Sequence, residues 1–236
     1  MTHRSNGTDV LLLLFYCTGG IIMCNYAVNS LTFSSRDTRL LKGLYRRIWA
    51  CYRSRHHNSV RELLHGHHYP ASVLDKLTNR TDHFSHCDKF ITKKGPVSYF
   101  TCETTTAWSG NLRPFFSLLA DRYEDNIHLS FISEEPGSEE YVVKDETGMF
   151  YKDRYRADWC YDGQYGTEYF PTYPQLVDYL QKAFPEAILS YYDTIEDLLT
   201  QINVLYKDRD TDYYLTINRY KEYDPALNLY AETEVA

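Results

Sequence analysis

Between residues 24 and 49 the repeat of apolar side chains switches from two to about 3.6, and that switch more than anything else limits the folds open to this chain. The run Cys24-Asn25-Tyr26-Ala27-Val28-Asn29-Ser30-Leu31-Thr32-Phe33 alternates apolar and polar positions as a half-buried strand does. Asp37 then offers a capping carboxylate to a helix whose Leu40, Leu41, Leu44, Ile48 and Trp49 fall on one stripe. Arg39, Lys42, Arg46 and Arg47 lie on its flanks. A strand and an amphipathic helix in succession must each bury one face, so the opening already points to a layer of sheet against helix.

The pattern continues in kind. Ser59 with Glu62 has capping-box spacing ahead of Val60, Leu63 and Leu64, and Ala71 to Leu77 makes a short helix after Pro70. Residues 53–94 are polar, basic and rich in histidine, which reads as a small helical insertion. Val97 to Thr105 is a β-branched, aromatic strand; Trp108 to Asn111 turns, and Leu112 to Tyr123 is a helix that tolerates Pro114 in its first turn. Ile127, Leu129 and Phe131 alternate, and Glu135-Pro136-Gly137 is a turn. Glu140 to Lys144, Met149 to Lys152 and Ala157 to Asp162 read as short antiparallel strands. Thr172 caps a helix that buries Leu176, Val177, Leu180 and Phe184. A second helix runs from Thr194 to Leu205, and Tyr213, Leu215 and Ile217 form a last strand before an acidic, frayed end from Asp224. The order is an α+β plan, with helices on one face of a mainly antiparallel sheet.

Charge divides the chain. Residues 36–95 hold thirteen Lys/Arg against five Asp/Glu, a net +8, whereas residues 96–236 hold eleven against twenty-six, a net −15. The overall −7 disfavours wholesale phosphate binding. Six cysteines at 17, 24, 51, 87, 102 and 160 form no CxxC pair, and we read them as reduced, mostly buried thiols of a cytosolic protein. Val10 to Tyr16 resembles a signal-peptide core but is too short to span a bilayer. The reading adopted is that Met23 is a start and residues 1–22 an extension, with a signal peptide as the alternative. The main domain then runs over 23–206, and 207–236 is a C-terminal strand and acidic tail.

Four segments in this order carry a family likeness: Asn25 to Phe33 (NYAVNSLTF), Glu103 to Ser109 (ETTTAWS), Ile127 to Gly137 (IHLSFISEEPG) and Trp159 to Phe170 (WCYDGQYGTEYF). Together they resemble the Api-type ferredoxin-like domain proteins of plasmids, prophages and other mobile elements, over about residues 23–200. The resemblance implies a ferredoxin-like split βαβ core and a small cytoplasmic accessory protein, and it brings no established catalytic residues. Gly110 and Asn111 depart from the family, which more often places prolines after Trp-Ser.

Three groups of residues are candidates for function. The segment Tyr151 to Tyr173 mixes Tyr155, Tyr161, Tyr165 and Tyr169 with Asp158, Asp162 and Glu168, in a chain with 23 tyrosines. Tyrosine pairs a large apolar body with a polar tip, so this is either an acidic aromatic face for a host protein or nucleoprotein with a basic surface, or an ordinary aromatic sheet face. Arg46, Arg47, Arg53, Arg55 and Arg61, interleaved with Tyr45, Trp49 and Tyr52, suit nucleic acid, as part of a basic segment over 39–94; the plainer alternative is a solvated face or one paired with the acidic half. His83, His86 and Cys87 have ligand chemistry for zinc on one helical face, without a complete template, and a metal-dependent enzyme is the weakest of the three readings. Gly163-Gln164-Tyr165-Gly166 imitates a phosphate clamp but sits among acids and reads as a hairpin turn. Glu134, Glu135, Glu139, Glu140, Asp145 and Glu146 read as a solvated acidic surface. No phosphate-binding Gly loop, nucleophile elbow or cofactor motif is present. With the family resemblance and the acidic aromatic half, this gives the expectation of a non-enzymatic accessory protein of a phage or mobile element that binds a host macromolecule through its acidic Tyr-rich face, with inhibition of a bacterial defence system as the expected effect.

Overall fold

The computed structural model describes residues 26–78, 82–107, 112–124, 126–207, 209 and 212–224. The expected extension 1–22, the start at Met23, Cys17 and Cys24, the turn at 108–111 and the tail beyond Asp224 lie outside the described residues. In chain order the elements are β1 (Tyr26–Ser35), α1 (Thr38–Arg53), α2 (Val60–His65), α3 (Ala71–Leu77), β2 (His83–Cys87), β3 (Thr92–Lys94), β4 (Val97–Ala107) and α4 (Arg113–Tyr123). There follow β5 (His128–Glu135), β6 (Glu140–Lys144), β7 (Tyr155–Tyr161), β8 (Gln164–Phe170), α5 (Tyr173–Ala183), α6 (Ile195–Tyr206), β9 (Tyr214–Arg219) and β10 (Lys221–Glu222). The chain is a mixed α+β protein with mostly antiparallel pairing, as its periodicities predict.

β1 lies within a seven-stranded sheet of order β10-β6-β5-β1-β4-β2, with β3 also paired to β4. Since β4 lies antiparallel between β1 and β2, those two run parallel to each other, and the chain passes from one to the other through α1, α2 and α3. β4 and β5 enclose β1 in the same way, and α4 joins them. The Asp37 carboxylate caps α1 by accepting the N–H of Arg39 and Leu40, and Leu41, Leu44 and Ile48 bury the stripe that the sequence shows. Phe33 stacks on Phe100, its register partner, at 5.3 Å and meets Phe115 of α4 at 5.8 Å, closing the core between sheet and helices.

Three expectations change. First, there are two sheets: β8-β7-β9 form a second one, covered on one side by α5 and α6 through Ala157, Phe170, Leu176, Leu180, Leu198, Ile202, Leu215 and Ile217. Second, residues 53–94 are not a helical appendage. α2 and α3 add Val60, Leu63, Leu64 and Leu74 to the main core, and β2 and β3 hydrogen-bond to β4. Third, Met149 to Lys152 is a loop, because the Asp145 carboxylate accepts the N–H of Phe150 at 2.6 Å and of Tyr151 at 2.8 Å, bonds a strand ladder would otherwise need. Tyr151 then shares hydrogen bonds with Ser30 and Thr32 on β1, at 3.1 and 2.9 Å. Thr172 stands at the N-cap of α5 without a side-chain cap bond; its hydroxyl donates to Gln175 instead.

Candidate functional site

Side chains alternate across a strand, so the register of the second sheet decides which residues can act together. Asp162 and Gly163 both have positive φ, 51° and 68°, which makes the β7–β8 connection a tight hairpin of the primed type; the turn expected over Gly163 to Gly166 thus falls earlier, and Gln164, Tyr165 and Gly166 already belong to β8. Gly166 on β8 lies under the Trp159 ring. A Cβ there would stand 3.0 Å from the ring, so any other residue would need the Trp159 ring to shift by a few tenths of an ångström.

This register splits the seven residues proposed from sequence. Tyr155 and Tyr161 are on the helix side with Ala157, where they meet Tyr173 at 5.6 Å and Tyr206 at 5.2 Å and pack the core. Glu168, opposite Ala157, shares that side at the exposed edge, and Asp162 belongs to the turn. Only Asp158, Tyr165 and Tyr169 share the outer side. It forms a grid of three cross-strand rows: Tyr165–Cys160–Tyr214, Thr167–Asp158–Thr216 and Tyr169–Arg156–Asn218. Tyr165 is 83 % exposed, Tyr169 44 % and Tyr214 45 %, so two rows end in accessible rings.

The third row is anchored by a residue that the sequence analysis passed over. Arg156, only 7 % exposed, donates to both oxygens of Asp158 at 2.8 and 2.9 Å and to Glu134 of β5 at 2.6 Å. Its guanidinium also faces the rings of Tyr141 and Tyr169 at 5.7 and 5.8 Å. The Tyr220 hydroxyl donates to the other oxygen of Glu134. Burial alone would lower the Arg156 pKa, but Asp158 and Glu134 outweigh it and leave it above its ordinary value. Burial, with Glu134 nearby, pushes the Tyr169 hydroxyl up to about 12, so it stays a neutral hydrogen-bonding group. The cluster ties the two sheets together. A period-two reading of Arg156 and Asp158, two apart in one strand, was the signal available for it.

The expected solvated acidic surface is only partly so, since Glu135 and Asp145 are buried and Glu134 is ion-paired. Arg46, Arg53 and Arg55 are exposed, Arg47 donates to the Gly66 carbonyl at 2.6 Å and Arg61 pairs with Asp75 at 2.7 Å. Tyr45, Trp49 and Tyr52 do not stand free for bases, because they are partly buried against the core and contact one another at 6.0 and 5.7 Å. His83, His86 and Cys87 lie on strand β2, not on a helix. Cys87 is buried opposite Cys102 while His83 is exposed, and among the described residues no group of three His, Cys, Asp or Glu could hold a metal.

A cleft of about 640 Å³ beside His128 is lined by Ser35 and Asp37, yet Ser35 donates to the Asn126 carbonyl and Asp37 caps α1. Cys51, Cys87, Cys102 and Cys160 are free thiols; burial raises Cys51 and pushes Cys87 up to about 12, which keeps both protonated at neutral pH. No helix among the described residues is long and apolar enough to cross a membrane. Comparison with protein-family models, with curated proteins and with solved structures gave no match to this chain.

Proposed function

We propose that this chain is a non-enzymatic binding module that docks a protein partner with a basic surface on the outer side of β8-β7-β9. One observation carries the reading: the three-by-three grid whose exposed corners are Tyr165, Tyr169 and Tyr214. Tyrosine buries much area at small entropic cost and is enriched at interface hot spots. The surrounding unit is acidic, with thirteen Asp/Glu against six Lys/Arg over residues 155–224, which steers a basic partner towards it. In this reading the larger sheet is a ferredoxin-like core, which its order β5-β1-β4-β2 and the connections through α1 and α4 support. The chain is then an Api-type cytoplasmic accessory protein of a phage or mobile element, acting on a host protein or nucleoprotein such as a component of a defence system.

The test is affinity capture from a bacterial lysate with the full chain and with Tyr165→Ser/Tyr169→Ser/Tyr214→Ser. Each exposed anchor is worth about 2 kcal/mol at a hot spot, so the triple variant loses a partner that the unaltered chain retains at low salt and releases at high salt. Identical capture by both chains, or no capture by either, refutes the proposal.

A further inference from the structure

We infer that the outward face of α1 binds the phosphate backbone of double-stranded nucleic acid. Over Thr38–Arg53 the helix carries five Arg/Lys and no Asp or Glu. Arg39, Lys42, Arg46 and Arg53 are exposed, and none has an ion-pair partner among the described residues, so the acidic half of the chain does not neutralise them. Arg53 instead lies over the Trp49 ring at 5.9 Å.

Their spacing is ordered. Steps of three, four and seven residues keep all four on one side of the helix, along a line of roughly 21 Å at 1.5 Å per residue. Gly43 and Ala50 are exposed among them. Glycine inside a helix weakens it, and a Cβ at Gly43 would meet nothing within 4 Å, so packing does not ask for it. A small residue between long cations leaves a trough into which a phosphate backbone can settle.

The chemistry of this face selects its partner. The only exposed apolar side chain among the four cations is the single methyl of Ala50, too small to anchor the helix in a lipid layer. The aromatic residues of α1 are packed inward and partly buried, which removes the stacking platform that single strands need and leaves a straight row of cations for a regular row of phosphates. The overall −7 does not oppose this, since charges beyond about 8 Å are screened at physiological salt and residues 36–95 are net +8.

The test is fluorescence anisotropy of a labelled 20-base-pair DNA duplex with the full chain between 50 and 200 mM salt. Four phosphate contacts give a logarithmic salt slope of about −3.6, which is about a 150-fold loss of affinity over that range. Arg39→Gln/Arg46→Gln brings the slope to about −1.8 and weakens binding at least about tenfold at 50 mM salt. Tyr165→Ser/Tyr169→Ser/Tyr214→Ser leaves duplex binding unchanged, so the two proposals fail independently. Absence of duplex binding at 50 mM salt, a slope that the arginine variant does not alter, or attachment to phosphatidylserine vesicles in place of the duplex overturns the inference.

Discussion

Replacing Arg156 by Met tests whether the buried ion cluster holds the second sheet in place. The side chains of Glu134 and Asp158 are only 18 % and 17 % exposed, and Arg156→Met leaves both carboxylates desolvated and without their cation, with the Tyr220 and Thr167 hydroxyls still donating to them, while removing three N–H···O bonds of 2.6 to 2.9 Å. Breaking a buried pair from one side costs about 3–5 kcal/mol, most of it the penalty on the charges left behind. Urea unfolding at pH 7 should therefore show a loss of that size. Hydrogen exchange should place it at β7 and β9, with the amides of α1 still protected. If orphaned charge is the cause, Arg156→Met/Glu134→Gln/Asp158→Asn recovers at least half of the loss, although it has fewer native contacts than the single variant. A loss below about 1 kcal/mol for Arg156→Met, or a triple variant no better than the single one, refutes the reasoning.

Burial, reinforced by Arg47, Arg122 and His68, lowers His67 from 6.5 to about 4, so between those values the unfolded chain binds more protons than the folded one. Stability is unaffected above pH 6.5 and falls as pH drops towards 4, by up to about 3 kcal/mol, and His67→Leu flattens this part of the profile; parallel profiles in urea titrations at pH 7.5, 6, 5 and 4.5 would contradict it. Gly43→Ala adds a Cβ with open space around it in the middle of α1, which raises stability by about 1 kcal/mol; thermal unfolding followed by circular dichroism checks this, and no gain would mean that the glycine relieves a strain not visible in its surroundings.

Elements set by local periodicity were legible. The stripe of α1 and the alternation of β1 each follow from residues a few places apart, and the hairpin near Gly163 was visible though displaced by about two residues. β2 was hidden, because His83-Phe84-Ser85-His86-Cys87 carries a bulge between Phe84 and His86 and owes its strand form to the distant β4. The second sheet was hidden for a related reason: β7 pairs with β9 across more than fifty residues, and no local pattern states that pairing. At the candidate site, tyrosine abundance was too coarse a signal. It grouped Tyr165 and Tyr169, which lie exposed on the outer side, with Tyr155 and Tyr161, which the pleat turns to the helix side. Arg156 escaped because a lone cation among acids looks incidental until Glu134, twenty-two residues earlier in the chain, is brought beside it.

The stretch from Tyr214 to Glu222 first closes the small sheet and then, after Tyr220 donates to the Arg154 carbonyl, runs along the border of the large one as β10. A pull applied to the chain just after Glu222 would load this seam first. The two-residue β10 would peel away, the tension would pass into β9, and Tyr214 would leave its grid while the α1 core was still intact. The protein would lose its tyrosine surface before its arginine helix, in an order written into the path of one strand.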